Sequence, residues 1–298
     1  MTVSLRVLYG YLEGLEGKFA REPSGHLSLE TGLFRRHGLE VSWEHVQGTE
    51  ERYRRVVRGE AEVSLVVGRA ALRHFLASRA TRLIGCAMNS CPYTLSVSRE
   101  IESPAELRGR VLACREEIGR AAPVAEALRE TAGLQLGTDV TLLLVESDRA
   151  ACERLLEGRV DAALLPRPYG FFAAENGFRR LAEWPEIVDD PLPIALETTE
   201  RLWRERSRDL SLFVAAEREG IAYLKNHPDQ ARSLLMRRFG HSPAVAAETV
   251  ADYLIWLDEN LRVDFQRLGK LVSQVVPHGR ESAGRIAAEW VVPGALGA

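Results

Sequence analysis

Two short stretches of the sequence combine glycine and arginine in a way that suits an anion or a strongly polar ligand. In 115–119 (REEIG), followed by Arg120, a charged turn closed by Gly119 leads from the alternating run 110–114 (RVLAC) into a helix beginning near 120. In 61–67 (AEVSLVV) an apolar run ends at Gly68-Arg69, where a second helix begins. A strand that feeds a helix through a glycine loop leaves the first backbone N–H groups of the helix unpaired. They point beyond the strand end, where acceptors and negative charge are stabilised. Groups with reactive chemistry are few. Lys18 sits with Tyr11 and Glu13 in the glycine-punctuated loop 10–25, a length that is often functional beside a first strand. His26 opens the helix that follows. Asn89, Ser90 and Cys91 fall in 88–92 (MNSCP), read as a turn between two apolar strands, where the polar pair either shapes the turn or touches a ligand.

The elements that must position these residues alternate strand and helix. Strand 3–9 precedes the loop, helix 26–37 ends at Gly38, and 39–46 (LEVSWEHV) alternates as a second strand. Helix 50–58, a stop at Gly59 and strand 61–67 complete a βαβαβ unit, whose parallel strands place their carboxyl ends along one edge, where ligands bind. Helix 69–78, strand 81–87 and a second extended run 93–98 follow. Ser103-Pro104 opens a short helix that Gly109 ends. Then strand 110–114, helix 120–132, strand 140–145, helix 149–157, strand 160–165 and a helix start at 166–169 repeat the pattern. The phrases VVRGEAEVSLVVGRAAL and LLEGRVDAALLPRPYGF look like two versions of one unit, with Gly158 in the place of Gly59. An extended 192–199 returns the chain, and helices at 207–226, 228–239, 243–259 and 264–275 show apolar residues at three- and four-residue spacing. The tail after His278 has no strong pattern.

With 298 residues the chain fits two α/β domains, and 46% apolar with 27% charged residues is ordinary for folded protein. A net charge of −3 offers no electrostatic case for nucleic acid as a partner. Cys86, Cys91, Cys114 and Cys152 have no CxxC or metal-ligand spacing and read as structural thiols, so no metal and no cofactor is expected. No run reaches the ~18 consecutive apolar residues of a spanning helix. After Met1 the chain enters its first strand directly, with no basic segment and apolar core of an export signal. As it stands, the protein is expected in the cytoplasm; it would be periplasmic had an export signal been trimmed.

Several phrases, in order, resemble the type II periplasmic-binding-protein superfamily, in its branch of sulfonate, nitrate, taurine and thiamine-precursor (NMT1/THI5-like) substrate-binding proteins of ABC transporters. They are ETGLFRRHGLEVSW, VVRGEAEVSLVVGRAAL, SPAELRGRVLA, AAPVAEALRETAGL with DVTLLLV, LLEGRVDAALLPRPYGFFAAENGFRRLAE and IAYLKNHPDQARSLL, spanning about 3–240. The resemblance implies two α/β lobes, each a mostly parallel sheet flanked by helices, joined by a two-strand hinge and closing on a ligand. Lobe I would be 1–97 with 190–298, whose helices pack on it, and lobe II 98–189. Ligand contacts would come from Tyr11, His26, Gly48, Thr49, Gly68, Arg69, Asn89, Ser90, Arg115, Gly119, Arg120, Ser147, Arg167 and Tyr169. Arg69, Arg115, Arg120 and Arg167, set against Glu116, Glu146 and Asp148, tilt these loops positive, and guanidinium binds carboxylate, sulfonate or phosphate bidentately.

The expected function is therefore binding of an anionic or strongly polar small molecule, with an ABC permease as partner if the protein is exported. The alternative is a cytoplasmic ligand sensor or an enzyme on the same fold, because relatives include a thiamine-pyrimidine-precursor synthase, decarboxylases and an aromatic sulfinate desulfinase. The synthase's cysteine-rich iron motif is absent here, and a pyridoxal phosphate lysine would have to be Lys18. Desulfination would need Cys91 activated by a base. Decarboxylation would need a charge sink, for which His26 is best placed among His26, His45 and His74.

Overall fold

The computed structural model describes residues 2–10, 12–13, 18–19, 23–115, 121–183, 189–276 and 283–295. The N-terminal half runs β1 (Val3–Tyr9), a small ribbon of β2 (Leu12–Glu13) and β3 (Lys18–Phe19), α1 (Ser24–Glu30), α2 (Leu33–Arg36), β4 (Leu39–His45), α3 (Thr49–Val57), β5 (Val63–Val66), α4 (Gly68–Ser78) and β6 (Thr81–Val97). A 3-10 turn at Pro104–Leu107 leads to β7 (Val111–Arg115), α5 (Ala121–Ala132), β8 (Thr141–Val145), α6 (Asp148–Leu156), β9 (Ala162–Pro166), α7 (Arg167–Glu175) and β10 (Arg179–Glu183). The return strand β11 (Asp189–Thr199) is followed by α8 (Glu200–Asn226), α9 (Pro228–Phe239), α10 (Pro243–Trp256), α11 (Phe265–Val275) and α12 (Ala283–Trp290).

These strands form two mixed sheets that share β6. The first has the order β4-β1-β5-β11-β6, with β4, β1 and β5 parallel and β11 antiparallel to both its neighbours. In the second, β8, β7 and β9 are parallel in that order, β9 pairs antiparallel with Tyr93–Val97 of β6, and β10 covers the other side of β6. Each sheet therefore begins as second strand, first strand, third strand, which is the internal duplication suggested by the paired phrases. The third strands β5 and β9 lie in them, each preceded by a glycine with left-handed backbone: φ is 77° at Gly59 and 68° at Gly158.

Where the sequence suggests a turn at 88–92, the chain instead continues as one 17-residue strand. Pairing with β11 from Thr81 to Pro92 on one side overrides the local turn signal of Asn, Ser and Pro. The opposite edge of β6 is covered by the C-terminal region: Asp258 N–H donates to Ala87 O, Cys86 N–H to Leu261 O and Val292 N–H to Leu83 O. An edge that would otherwise recruit another strand is thus closed within the chain. The expected helix 26–37 is two helices, broken at Gly32, whose φ of 71° is left-handed. Besides the small β2–β3 ribbon inside the expected loop 10–25, two elements have no counterpart in the sequence reading. β10 is one, and α12 is the other; α12 closes the first lobe by stacking Trp290, which is fully buried, on Phe75 at 5.5 Å. No helix among the described residues is long and apolar enough to cross a membrane.

The first lobe's core is one large apolar cluster from β1, β5, β6, β11 and helices α1, α4 and α8 to α12, with a small second cluster of Leu8, Val46, Val56 and Ala61. The second lobe has a cluster on each side of its sheet. Val245 of α10 belongs to one of these, so that helix reaches across from the C-terminal set to touch the second lobe. Inside the first lobe lies Glu197 on β11, fully buried; burial pushes its carboxyl up to about 8, against the smaller opposing effects of the Thr81 hydroxyl and Arg52. A carboxyl protonated in the fold but ionised when unfolded makes stability fall as pH rises from its ordinary value towards 8, by up to about 1.4 kcal/mol per pH unit. Denaturation of the wild type should therefore show that decline between pH 5 and 8, and Glu197→Gln should flatten it and be the more stable protein at pH 8.

Candidate functional site

Two sheets with this order leave the carboxyl ends of β1, β4, β5, β7, β8 and β9 along the edges that face each other across β6 and β11. Where the two long strands pass between the lobes, β11 is irregular. Its register shifts between Pro191 and Ile194, and Leu192 takes a left-handed φ of 54° between two prolines. Strain of this sort, of order 1 kcal/mol or more, persists only where the surroundings fix it. Leu192 is fully buried, and a Cβ on Gly68 would lie 2.7 Å from the Leu192 Cβ, so only glycine lets the start of α4 pack this closely against the strand.

Beside this crossing is a small, largely apolar cavity. It is lined by Met88, Cys91 and Tyr93 of β6, by Pro166 and Pro168 where β9 turns into α7, by Pro193 and Ile194 of β11, and by Thr249, Asp252 and Tyr253 of α10. Asp252 is the charge in it, and it is committed: Arg167 Nη1 donates to its Oδ1 at 2.6 Å, both side chains being mostly buried (13% and 8% exposed). The Arg167 guanidinium also sits 5.8 Å from the Trp256 ring centroid. A second pair, bidentate Arg180 to Glu248 at 2.7 and 3.1 Å, joins β10 to the same helix. α10 is therefore strapped to the second lobe by two ion pairs.

The other residues expected at the site fall as follows. Arg69 is buried and donates to Gln274 Oε1 at 2.8 Å, tying α4 to α11. Arg115, partly exposed, approaches the buried Asp148 at 3.4 Å. Ser147 caps α6 by accepting from Ala150 N–H. Gly48, with φ 81°, precedes α3, and the Thr49 hydroxyl accepts from Arg52. Asn89 is a brace: its Nδ2 donates to Arg262 O and its Oδ1 accepts from Asp264 N–H, both at 2.8 Å. Ser90 is buried opposite Pro191, and Tyr169 is buried in the second lobe. Tyr11, Gly119 and Arg120 lie outside the described residues, as does the Lys18 side chain.

His26 does not stand open to the cleft. It is 1% exposed, edge-on to Tyr9, Trp43 and Phe239 with ring centroids 4.9, 6.0 and 5.3 Å away, and neither ring nitrogen is hydrogen-bonded. Burial, and then repulsion from Arg238, lower its pKa to about 3, so the imidazole is neutral throughout the physiological range. Burial likewise pushes the Cys152 thiol up to about 12 and raises that of Cys86 further; Cys91 is partly exposed and faces the hinge cavity.

The sequence reading placed no site residue on α10. The signal was one acid in the apolar stretch TVADYLIW, since a carboxylate on a buried helix face needs a partner.

A family model described as NMT1/THI5 like matches residues 27–231, over two thirds of the chain. The chain belongs to this family. Among solved structures, the periplasmic aliphatic sulphonate binding protein SsuA from Escherichia coli superposes with a TM-score of 0.72 at 16% identity, covering 97% of this chain and 93% of that one. The alkanesulfonate-binding protein SsuA from Xanthomonas axonopodis pv. citri, bound to MOPS, gives 0.66 at 16%, covering 96% and 93%. The desulfurization enzyme DSZB gives 0.65 at 16%, covering 96% and 92%. No curated protein sequence matches this one. The fold of this NMT1/THI5-like chain is thus the two-lobe periplasmic-binding-protein fold.

Breaking the buried pair on one side tests its standing. Arg167→Ala, which leaves Asp252 without its guanidinium, should cost about 3–5 kcal/mol in urea denaturation, whereas Arg167→Met combined with Asp252→Leu should cost far less.

Proposed function

We propose that this protein binds a small organic molecule between its two lobes, as the substrate-binding proteins of ABC transporters do. The observation that carries this reading is the doubled sheet: two copies of one strand order, joined through β6 and β11, turn their strand ends towards each other. The lobes divide at about 97/98 and 189/190, with α10 lying across the division. Gly48, Thr49, Ser90, Arg115 and Ser147, together with the start of α5, supply the polar contacts. Arg115, at 39% side-chain exposure, is the guanidinium best placed to meet an acidic or strongly polar group. If the protein is exported, an ABC permease receives the ligand.

A second reading, an enzyme on the same scaffold, is favoured by one observation: Cys91 lines the hinge cavity. The two readings separate cleanly. Native mass spectrometry of the purified protein should show a stoichiometric small molecule that is released on denaturation and recovered unchanged after incubation with fresh protein. Recovery of a chemically altered molecule, abolished by Cys91→Ser, would replace the binding reading with the enzymatic one.

A further inference from the structure

We infer that the hinge cavity is a subsite for the uncharged, apolar end of the ligand, which presents one hydrogen-bond acceptor to Thr249. This rests on the binding reading above and specifies the ligand it takes. Three features of the cavity point the same way. Its wall is carbon-rich, with three prolines, Met88, Ile194, Tyr93 and Tyr253, and proline rings and aromatic faces gain from contact with alkyl or ring carbons rather than with ions. Arg167, which stands between the lining residues Pro166 and Pro168, is already neutralised by Asp252 at 2.6 Å, so an anionic group placed against it would have to displace a buried carboxylate. Thr249, on the same wall, is 1% exposed, and its hydroxyl has no hydrogen-bond partner. A buried hydroxyl without a partner is a standing cost, and an acceptor on the bound molecule removes it. The polar part of the ligand then lies further out, towards Arg115 and the start of α5.

The test uses 2-octanone, a neutral ketone with an apolar chain, against ethanesulfonate, a small anion without one, on the full-length protein by isothermal titration calorimetry. 2-Octanone should bind saturably. Thr249→Val, which keeps the shape and removes the hydroxyl, should weaken it about five-fold, the equivalent of one hydrogen bond of about 1 kcal/mol. Cys91→Phe, which fills the cavity, should abolish it, and Thr249→Val should leave ethanesulfonate binding unchanged. Thermal unfolding of both variants close to wild type shows that they are folded. The inference is overturned if 2-octanone does not bind, or if either folded variant binds it as the wild type does. In either case, retention of ethanesulfonate or of the co-purified molecule leaves the binding reading standing, and loss of all binding overturns both.

Discussion

The antiparallel pairing of β6 with β11 is the interaction on which the rest of the molecule depends. From Thr81 to Pro92, β6 hydrogen-bonds to β11 within the first lobe, and from Tyr93 to Val97 it becomes a strand of the second. One backbone thus serves two sheets, and every other element is placed by its relation to that strand. Backbone polar groups allow little else, because a buried strand must pair on both edges. The C-terminal region closes the free edge of β6 in the first lobe, and β10 does so in the second. At the crossing itself β11 departs from regular pairing at Pro191–Leu192–Pro193. This is the place where a bend between lobes meets the least resistance from cross-strand hydrogen bonds.

The same economy governs charge. Loops counted by sequence lean positive, yet Arg69, Arg115 and Arg167 each meet a partner in the fold: Gln274, Asp148 and Asp252. A guanidinium mostly removed from water must be answered, and here α10 and α11, far off in sequence, supply the answer at two of the three positions. The cavity beside the crossing is left largely apolar, because its one carboxylate, Asp252, is taken by Arg167. α10 is more than a lobe-one helix, since its two ion pairs and Val245 bind it to the second lobe.

Much of this was legible in the sequence. Alternation in VSLRVLY and LEVSWEH, the glycine stops at Gly59 and Gly158, and the repeated helix-strand-helix phrase predict strands and helices that the structure contains, because each signal is local and several agree. Two of the failures share a cause. Asn89, Ser90 and Pro92 signal a turn locally, but long-range pairing with β11 keeps them in a strand. α12 does carry an apolar face in Ala283, Ile286, Ala287 and Trp290, but it is only eight residues long and that short run is easily passed over in the tail. His26 stands at a helix start, yet the aromatic rings of Tyr9, Trp43 and Phe239 enclose it, and Phe239 comes from more than two hundred residues away. Partnerships of that range leave no mark on the spacing of a single chain.

The central claim, that two lobes swing on β6 and β11 to close over a ligand, is tested most directly by an interlobe distance. Spin labels at Glu40→Cys and Glu157→Cys, both exposed positions on opposite lobes, can be placed in a Cys91→Ser background; the other three cysteines are buried. Double electron–electron resonance should then give a longer or broader distance distribution for the emptied protein and a shorter, narrower one after its small molecule is restored. A single distribution, identical with and without that molecule, would contradict the account.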